Sequence, residues 1–569
     1  MFGYYITYGA KSSHQLVCEE NGGGYNQATF DGWTVCRYTL PKFQNHKFFL
    51  DEASFFFSTD GVILNIDELF AQYQCTDIAE LISILYRLYG ETFYRLFRGS
   101  FSGLFYDKEQ KIMLVFVDQT ASRLLFWGQT NESVLISSDM CWMASQRKQA
   151  LWDNHGMYEL LTYGYMPSHH TILQDVHRLP AGCFLRISAG ACQQVQYHRF
   201  SNTPLRRSKK QEVEGTDRLF RQAVQRVLKV NEAYGYRNIF PLSAGLDSRM
   251  TTWVAHDLAE TPIENFTHGL SDSMDAEVAR SIAGTLGHKW YFIDHKGGDF
   301  LSDIDESVCK SGLQICYSGI AESTDVFRII PMEQTGIILT GIGGDDILTS
   351  PLDRSWRQYR YGECALSTVR YPEQKQFIPD EFYTRYDTRN IFYLYARTFE
   401  CHAQGSPLAF QQYAESYSPF MDVDFLEFVL SIPERHRITY RLYDRWIFSC
   451  YPEAAQWKHN GKTIGNRAPE LFICHRHIPI GTISKRIFTS ALRRLHIHDF
   501  SEHESYDEYT PQTAKRLEQY YEQNKHYLTG CGMVAERIDQ QFRSKKVQEK
   551  MQALTVLAAV KAVCQSRAC

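Results

Sequence analysis

The stretch IFPLSAGLDSR, residues 239–249, decides how the second half of this chain folds. It begins with an apolar run typical of a buried strand and ends in a loop of small and hydroxyl residues. A helical spacing of i, i+3, i+4 and i+8 follows in Met250, Trp253, Val254 and Leu258. The pattern predicts a strand, a loop and a helix in that order.

The loop in this stretch is typical of a turn that binds a phosphate group. Backbone N–H groups at the start of a helix carry partial positive charge and have no partner within the helix, so they stabilise an anion. Ser243 and Ser248 add hydroxyl donors, Gly245 lets the backbone approach closely, and Asp247 is placed to hold Mg²⁺. An ordinary strand-to-helix turn with a Ser or Asp N-cap is the alternative that this loop alone leaves open.

Length and composition predict a globular protein with more than one hydrophobic core. The chain has 569 residues, of which 44% are hydrophobic and 22% are charged. Its formal net charge of −5 gives no reason to expect nucleic acid as a partner. Because no apolar stretch is long enough to span a bilayer and the start lacks the features of a signal peptide, we expect a cytoplasmic protein without a membrane partner.

Cysteine and histidine patterns do not indicate a disulfide framework or a zinc motif. The fifteen cysteines are scattered and form no CxxC pair, which favours reduced thiols. Closely spaced histidines occur at 169–170, 475–477 and 496–498, but they lack the further ligands that a zinc site needs.

Strand and turn patterns dominate residues 1–199, which predicts packed antiparallel sheets with a few helices. Extended segments are expected at residues 2–8, 53–57, 61–64, 102–106 and 112–117, and a helix at 77–89. Residues 200–211 are polar and basic, which is typical of a solvated linker, and a helix is expected from 212 to about 230.

From residue 237 onward short apolar runs alternate with helices, which predicts a doubly wound parallel sheet covered on both faces. Further strands are expected at 264–267, 290–294 and 336–340, a helix at 275–286, and a helical tail over 513–568. The strand at 336–340 leads into GIGGDD, residues 341–346. Because the carboxyl ends of parallel strands share one edge, Asp247 and Asp345 would meet there and hold a magnesium ion on the phosphates of ATP.

These two loops resemble those of a known family. The first is similar to the SGGxDS loop of ATP pyrophosphatases and, as LSAGLDSR, to the asparagine synthetase family, with Ala244 in place of the first Gly. The second resembles the SGEGSDE phrase of asparagine synthetases and the TGYGSD phrase of β-lactam synthetases. The resemblance implies that ATP and Mg²⁺ are cofactors, that Asp247 and Asp345 bind the metal, and that His268 contributes backbone to adenine binding. The nucleotide-binding set that it implies is Leu242, Ser243, Ala244, Gly245, Leu246, Asp247, Ser248, His268, Gly269, Gly341 and Gly343.

Phrases in the first half resemble the class II glutamine amidotransferase domain, an Ntn-type fold, that precedes the synthetase domain in that family. They lie at residues 59–65, 97–107, 116–123, 164–167 and 177–182. Two departures affect the chemistry. Phe2 stands where the family has its cysteine nucleophile, and Asp60 replaces an Asn of the oxyanion site, where its negative charge would oppose an oxyanion. We therefore expect an inactive glutaminase domain with a structural or substrate-shaping role.

Two further positions concern catalysis in the synthetase domain. Ile342 stands where the family has a Glu or Tyr as candidate base, and either Asp346 or a carboxylate elsewhere in the chain would take the role. The family also has a lysine that stabilises the leaving pyrophosphate, for which Lys462 is the first candidate and Lys458 the second.

The sequence thus predicts an asparagine synthetase-like, AMP-forming amide ligase, similar to β-lactam synthetases and lasso-peptide cyclases. Its expected domains are 1–199 (glutaminase-like), 200–211 (linker) and 212–569 (synthetase). The expected substrates are a small-molecule, peptide or sugar carboxylate and ammonia or an amine, and a homodimer is one assembly that the chain could form. The alternatives are an ATP-binding regulatory protein with impaired catalysis and, less favoured, a glutamine-dependent amidotransferase.

Overall fold

Two antiparallel sheets form the N-terminal half of the chain in the computed structural model. The structure describes residues 2–9, 24–129, 133–349, 389–399, 405–459, 462–464, 470–473, 476–479 and 510–567. The first sheet has the strand order β10-β8-β9-β1-β3-β2 and the second has the order β12-β11-β7-β6-β5-β4. The strands are β1 Gly3–Tyr8, β2 Gly24–Phe30, β3 Trp33–Thr39, β4 Phe49–Asp51, β5 Phe55–Ile63, β6 Gly99–Asp107, β7 Ile112–Val117, β8 Phe126–Gln129, β9 Val134–Ser137, β10 His177–Arg178, β11 Cys183–Ser188 and β12 Ala191–Gln196.

The facing sides of these sheets are buried against each other. Tyr4 and Ile6 from the first sheet share one hydrophobic core with Leu104 and Val115 from the second. Helices cover the two outer faces: α1 (Ile66–Tyr73) and α2 (Ile78–Tyr89) on the second sheet, and α3 (Met140–Ser145) and α4 (Asn154–Tyr163) on the first. The predicted Ntn-type sandwich is confirmed, with one difference in detail. Residues 53–57 and 61–64 contribute to a single strand, β5, because Gly61 continues it with a φ of 92° that favours glycine.

The helix that opens the second half begins earlier than the sequence suggested. Helix α5 spans Lys209–Ala233, and its N-cap Ser208 forms a reciprocal capping box with Gln211. The expected linker over 200–211 was therefore wrong in part: its last three residues are helical, and Phe200 at its start is buried in the core.

A parallel sheet organises the second half, as predicted. Strands β13, β14 and β15 pair in parallel, and so do β16 and β17. A parallel bridge between Arg237 and Thr335 places β16 on the other side of β13 from β14. The strand bounds are β13 Asn238–Pro241, β14 Ile263–Gly269, β15 Lys289–Asp294, β16 Ile338–Leu339 and β17 Ser416–Tyr417.

Helices cover both faces of this sheet. Phe240 and Leu339 face the core that contains α5, α6 and α7, while Ile239 and Ile338 face a second core with Val326. This alternation is what a doubly wound sheet requires. The helices of this half are α6 Leu246–Leu258, α7 Met274–Leu286, α8 Ile304–Lys310, α9 Tyr317–Asp325, α10 Gly344–Leu348, α11 Arg389–Tyr393, α12 Gly405–Phe410, α13 Val423–Leu430, α14 Glu434–Arg437 and α15 Arg441–Cys450.

The C-terminal tail is helical and belongs to the core. It consists of α16 (Pro511–Asn524), α17 (Met533–Phe542) and α18 (Val547–Ser566). From Met551 to Val560 helix α18 is buried on every side, packed against α3, α4 and α8, so it joins the two halves rather than presenting a single apolar face. Among the described residues no helix combines the length and hydropathy needed to cross a bilayer. Four short strands complete the described chain: β18 Lys458–His459, β19 Lys462–Thr463, β20 Glu470–Ile473 and β21 Arg476–Pro479.

Candidate nucleotide site

The loop between β13 and α6 is held in a tight turn by its own hydroxyl groups. The backbone N–H of Ser243 donates to Oγ of Ser248 over 3.0 Å, and the two hydroxyl oxygens lie 2.8 Å apart. The N–H of Gly245 donates to Oγ of Ser243 over 3.1 Å. Both serines therefore stabilise the turn through hydrogen bonds within the loop itself.

Ala244, the departure from the family phrase, is well accommodated. Its N–H donates to Oδ1 of Asp275 over 2.8 Å, and its carbonyl accepts from Nη2 of Arg249 over 2.6 Å. Arg249 is fully buried and also donates to the carbonyls of Ala454 and Trp457, each over 3.1 Å. The arginine thus ties the loop to the segment that leads to β18.

The two glycine-and-aspartate loops meet, as the sequence predicted. The N–H of Asp345 donates to Oδ2 of Asp247 over 2.9 Å. A Cβ atom at Gly341 would lie 2.6 Å from the nitrogen of Ser248, and one at Gly344 would lie 2.4 Å from Oδ1 of Asp247. Both positions require glycine because no side chain fits between the loops. The sequence reasoning named Gly341 and Gly343 but missed Gly344.

Two tyrosines, whose roles the sequence reasoning missed, support the aspartates. The hydroxyl of Tyr443 donates to Oδ1 of Asp247 over 2.8 Å, and the hydroxyl of Tyr440 donates to Oδ2 of Asp345 over 3.0 Å. Tyr440 has a φ of 63°, a left-handed conformation that is costly for a bulky residue and that clusters at functional sites. The spacing of the two tyrosines at i and i+3, at the start of α15, was a readable signal.

The electrostatics of this pair fit a divalent cation. Burial raises the pKa of Asp247 well above its usual range, and the neighbouring Asp345 carboxylate raises it further. The pKa of Tyr443 is also raised, by burial first and by Asp247 next, so its hydroxyl remains a donor. Carboxylate oxygens are the ligands that Mg²⁺ prefers, and a cation between them would relieve the repulsion that raises the pKa of Asp247.

The other predicted nucleotide contacts lie along the same edge of the sheet. Gly269 ends β14, next to β13, and its φ of 136° is a backbone conformation that favours glycine. Leu242 and Leu246 are both buried and anchor the two ends of the phosphate loop in the core. His268 is at this edge too, and its Nδ1 lies 3.3 Å from Oε1 of Glu322 on α9.

Of the two candidate catalytic residues, the structure describes the side chain of Asp346 and only the backbone of Lys462. Oδ2 of Asp346 accepts a hydrogen bond from Oγ1 of Thr398 over 2.8 Å, while the carbonyl of Ile342 accepts from Oγ of Ser418 over 2.7 Å. The backbone of Lys462 pairs with His459 in the β18–β19 hairpin. The side chains of Lys462 and Lys458 lie outside the part of the chain that the structure describes.

Two residues from the amidotransferase-like phrases, Asp60 and Arg123, belong to a buried ion cluster at the boundary with the synthetase half. We call Lys47, Asp60, Arg123 and Glu415 the interdomain cluster. Arg123 pairs with Asp60 over 2.7 Å and also with Glu415, and Lys47 pairs with Glu415 over 2.7 Å. All four side chains are at most 7% exposed. Phe2, the residue before β1, stacks on Tyr38 of β3, with ring centroids 4.9 Å apart.

A small pocket lies between the interdomain cluster and the nucleotide loops. Ser100 and Ser122 line it from the N-terminal half, and Thr340, Ile342 and Ser418 line it from the synthetase half. Glu415 directly precedes β17, which pairs with β16, the strand that leads to Gly341. Because Ile342 lines the pocket, the pocket reaches the loop that bears Asp345.

Comparisons with known proteins match both halves of the chain. Residues 50–198 match the family model for a glutamine amidotransferase domain, and residues 215–388 match the model for asparagine synthase. No curated protein gives a match. Among solved structures, glutamine phosphoribosylpyrophosphate (PRPP) amidotransferase from B. subtilis, complexed with ADP and GMP, is similar at 9% identity and a TM-score of 0.22, over 46% of this chain and 76% of that chain. The allosteric regulatory enzyme of purine biosynthesis is similar at 10% identity and a TM-score of 0.22, over 47% of this chain and 67% of that chain.

Proposed function

Because this chain belongs to the asparagine synthetase-like family, with a glutamine amidotransferase domain followed by an asparagine synthase domain, we propose that it is an ATP-dependent ligase that forms an amide bond and releases AMP. The observation that carries the proposal is the 2.9 Å hydrogen bond from the N–H of Asp345 to Oδ2 of Asp247. It joins the two loops at the edge of a parallel sheet where such folds bind nucleotides.

The proposed reaction has two steps. An oxygen of the substrate carboxylate attacks the α-phosphorus of ATP, the bond to the bridging oxygen breaks, and pyrophosphate leaves. An amine nitrogen or ammonia then attacks the acyl carbon, AMP leaves, and the nitrogen loses a proton. Adenylation makes the carboxylate oxygen a good leaving group, and a crevice that excludes water protects the intermediate.

In this scheme the chain's own residues bind and orient the triphosphate. The N–H groups in the first turn of α6, residues 246–248, would bind phosphate oxygens, and Asp247 and Asp345 would hold Mg²⁺, which would neutralise phosphate charge. Tyr440 and Tyr443 fix the orientation of these carboxylates through their hydroxyl groups. Lys462 is the proposed cation for the leaving pyrophosphate, and Asp346 the proposed base.

We further propose that the nitrogen comes from free ammonia or an amine substrate and not from glutamine. Asp60 is committed to an ion pair with Arg123 inside the interdomain cluster, so it offers no hydrogen-bond donor to an oxyanion. The Phe2 side chain carries no nucleophilic atom. These features support a structural role for the amidotransferase-like domain.

The test is formation of AMP and pyrophosphate by the full-length protein with ATP, Mg²⁺ and a panel of carboxylates that includes L-aspartate. Each reaction is run with ammonium chloride or with L-glutamine. We expect AMP with ammonium chloride and not with L-glutamine, and a loss of at least about 1,000-fold in D247N because the metal site loses a charge. The matched control is D257N on the same helix, because Asp257 pairs with Arg221 over 2.7 Å at the opposite end of α6.

Binding of a fluorescent ATP analogue provides a readout that needs no substrate. We expect Mg²⁺-dependent binding in the wild type and in D257N, and much weaker binding in D247N. Binding that is equal in all three proteins would contradict the nucleotide site. Tight binding without AMP formation for any carboxylate would instead support the regulatory alternative, and glutamate formation from L-glutamine would overturn the inactive glutaminase.

A further inference from the structure

Two histidines and a glutamate converge at the edge of the parallel sheet, next to the candidate nucleotide site. His268 is the penultimate residue of β14, His295 directly follows β15, and Glu322 lies on α9. Nδ1 of His268 is 3.3 Å and Nδ1 of His295 is 3.9 Å from the same oxygen, Oε1 of Glu322. One ligand atom from each of the three residues lies within 4.8 Å of the other two.

These distances are close to those of a formed metal site. Zn²⁺ binds imidazole nitrogen and carboxylate oxygen at about 2.0–2.2 Å, so ligand atoms in a tetrahedral site are roughly 3.3 Å apart. The two separations from Oε1 of Glu322, 3.3 and 3.9 Å, are near this value, and all three ligand atoms lie within 4.8 Å of one another. The same ligand types do not favour Mg²⁺, which prefers oxygen.

The surroundings of His295 provide the support that metal-binding histidines usually have. Its other ring nitrogen, Nε2, lies 3.6 Å from Oδ2 of Asp325, one turn along α9 from Glu322. This separation is within ion-pair range and slightly beyond a hydrogen bond, and a closer approach of the carboxylate would fix the ring orientation and increase the basicity of the ligating nitrogen. The backbone N–H of His295 also donates to the carbonyl of Gly269 over 2.9 Å, which ties the ends of β14 and β15 together.

Burial differs across the cluster in a way that suits an accessible metal. The His295 side chain is 5% exposed and its ring lies 4.5 Å from that of Phe300, whereas the His268 side chain is 29% exposed. Three protein ligands leave a fourth position in a tetrahedral site, and here that position would lie on the side of His268. The three residues are far apart in sequence, so no ligand-spacing motif reveals them.

We propose that His268, His295 and Glu322 bind one divalent transition-metal ion, with Zn²⁺ the best match to their chemistry, and that Asp325 orients His295. This site is separate from the Asp247–Asp345 pair and does not depend on the proposed ligase activity. An ordinary ion cluster of the same residues, without metal, is the competing account.

The test uses the full-length protein after removal of metal with a chelator, titrated with Co²⁺ and followed by visible absorption. Zn²⁺ competition then gives the affinity. We expect one equivalent of Co²⁺ with the absorption of a four- or five-coordinate site, lost in H268A, H295A and E322Q. D325N should retain the site but weaken Zn²⁺ binding by about 10- to 100-fold.

Two controls separate this site from others. H256A removes a histidine on α6 whose Nδ1 lies 2.9 Å from Nε2 of His288, the residue before β15, and it should bind like the wild type. D247N should also bind like the wild type, since it alters only the magnesium pair. Because His295 is buried and its replacement could impair folding, the decisive variants are H268A and E322Q, with circular dichroism as the check on folding.

A second readout is thermal unfolding with and without Zn²⁺, because a ligand that binds only the folded state raises the melting temperature. The wild type and H256A should be stabilised by Zn²⁺, and folded H268A should not. Equal stoichiometry and equal stabilisation in the wild type, H268A and E322Q would overturn the proposal in favour of the plain ion cluster.

Discussion

Two groups of carboxylates in this protein have opposite charge environments. In the interdomain cluster, Asp60 and Glu415 are each in contact with a cation, Arg123 or Lys47, at ion-pair distance. At the nucleotide loops Asp247 contacts a tyrosine hydroxyl and a backbone N–H, and the charged group with the largest effect on its pKa is another carboxylate, Asp345. Charges cancel inside the first group and add up inside the second.

This difference separates a structural group from a site that needs an external ion. Burial raises the pKa of Glu415, but Arg123 and Lys47 outweigh it, so the net shift is downward. Burial and Asp345 both raise the pKa of Asp247. Asp60, at a position that resembles part of an oxyanion site, thus belongs to a contact between the two halves of the chain in which the charges cancel. The Asp247–Asp345 pair has no such partner charge among the contacts described above, and a metal ion would balance it.

Removal of one acid from the interdomain cluster should have the largest effect on stability. In E415Q, Lys47 and Arg123 lose their shared partner and remain buried, so we expect the free energy of unfolding to fall by about 3 kcal/mol. Urea denaturation followed by tryptophan fluorescence measures the change. The control is E91Q, because Glu91 pairs with Arg186 over 2.9 Å in a partly exposed bridge that should contribute less than about 1 kcal/mol. An equal loss in both variants would refute the special role of the cluster.

The same comparison predicts a pH dependence. Because the pKa of Glu415 is lowered on folding, its stabilising contribution is present above its unfolded pKa, about 4.3, and is lost as the pH falls through the folded value. The difference in unfolding free energy between wild type and E415Q should therefore be full at pH 6 and shrink below about pH 4. Denaturation curves at several pH values measure it, and a gap that widens on acidification would contradict the sign of the shift.

The sequence predicted the elements of the fold better than the contacts between them. The apolar runs that end in glycine and aspartate predicted strands β13 and β16. Because the carboxyl ends of parallel strands share one edge, they also predicted that the loops after these strands meet. The start of α5 was also readable, because Ser208 and Gln211 have capping-box spacing, but the basic run at 206–210 favoured a linker instead.

Pairings across long sequence separations were not predictable. Glu415 belongs to the synthetase half and meets Arg123 only through the packing of the two halves, and Glu322 reaches His268 only because α9 packs at the end of the sheet. No local pattern encodes such contacts. Tyr440 and Tyr443 had a readable spacing, but only the folded loops show that they face the two aspartates.

The tyrosines provide a smaller test of the nucleotide pair. In Y443F the Asp247 carboxylate loses a hydrogen bond of 2.8 Å, a contact to a charged group that contributes about 1.5 kcal/mol, so AMP formation should fall roughly 10-fold. The control is Y451F, since the hydroxyl of Tyr451 accepts from Arg221 at 3.0 Å, away from the two loops. Unchanged turnover in Y443F, or an equal loss in Y451F, would show that the hydroxyl does not position Asp247.

The smallest expected effect is that of D247N on the stability of the metal-free protein. This substitution should increase the free energy of unfolding, whereas E415Q should decrease it. Because the pKa of Asp247 is raised on folding, the stability that it contributes is present below its unfolded pKa, about 3.9, and is lost as the pH rises through the folded value. At pH 7 with chelator, D247N should therefore be more stable than the wild type in urea. Added Mg²⁺ should stabilise only the wild type and reverse the order, since a ligand that binds the folded state increases its stability. If D247N were instead less stable without metal, Asp247 would be a structural group like Glu415, and the contrast between the two carboxylate groups would fail.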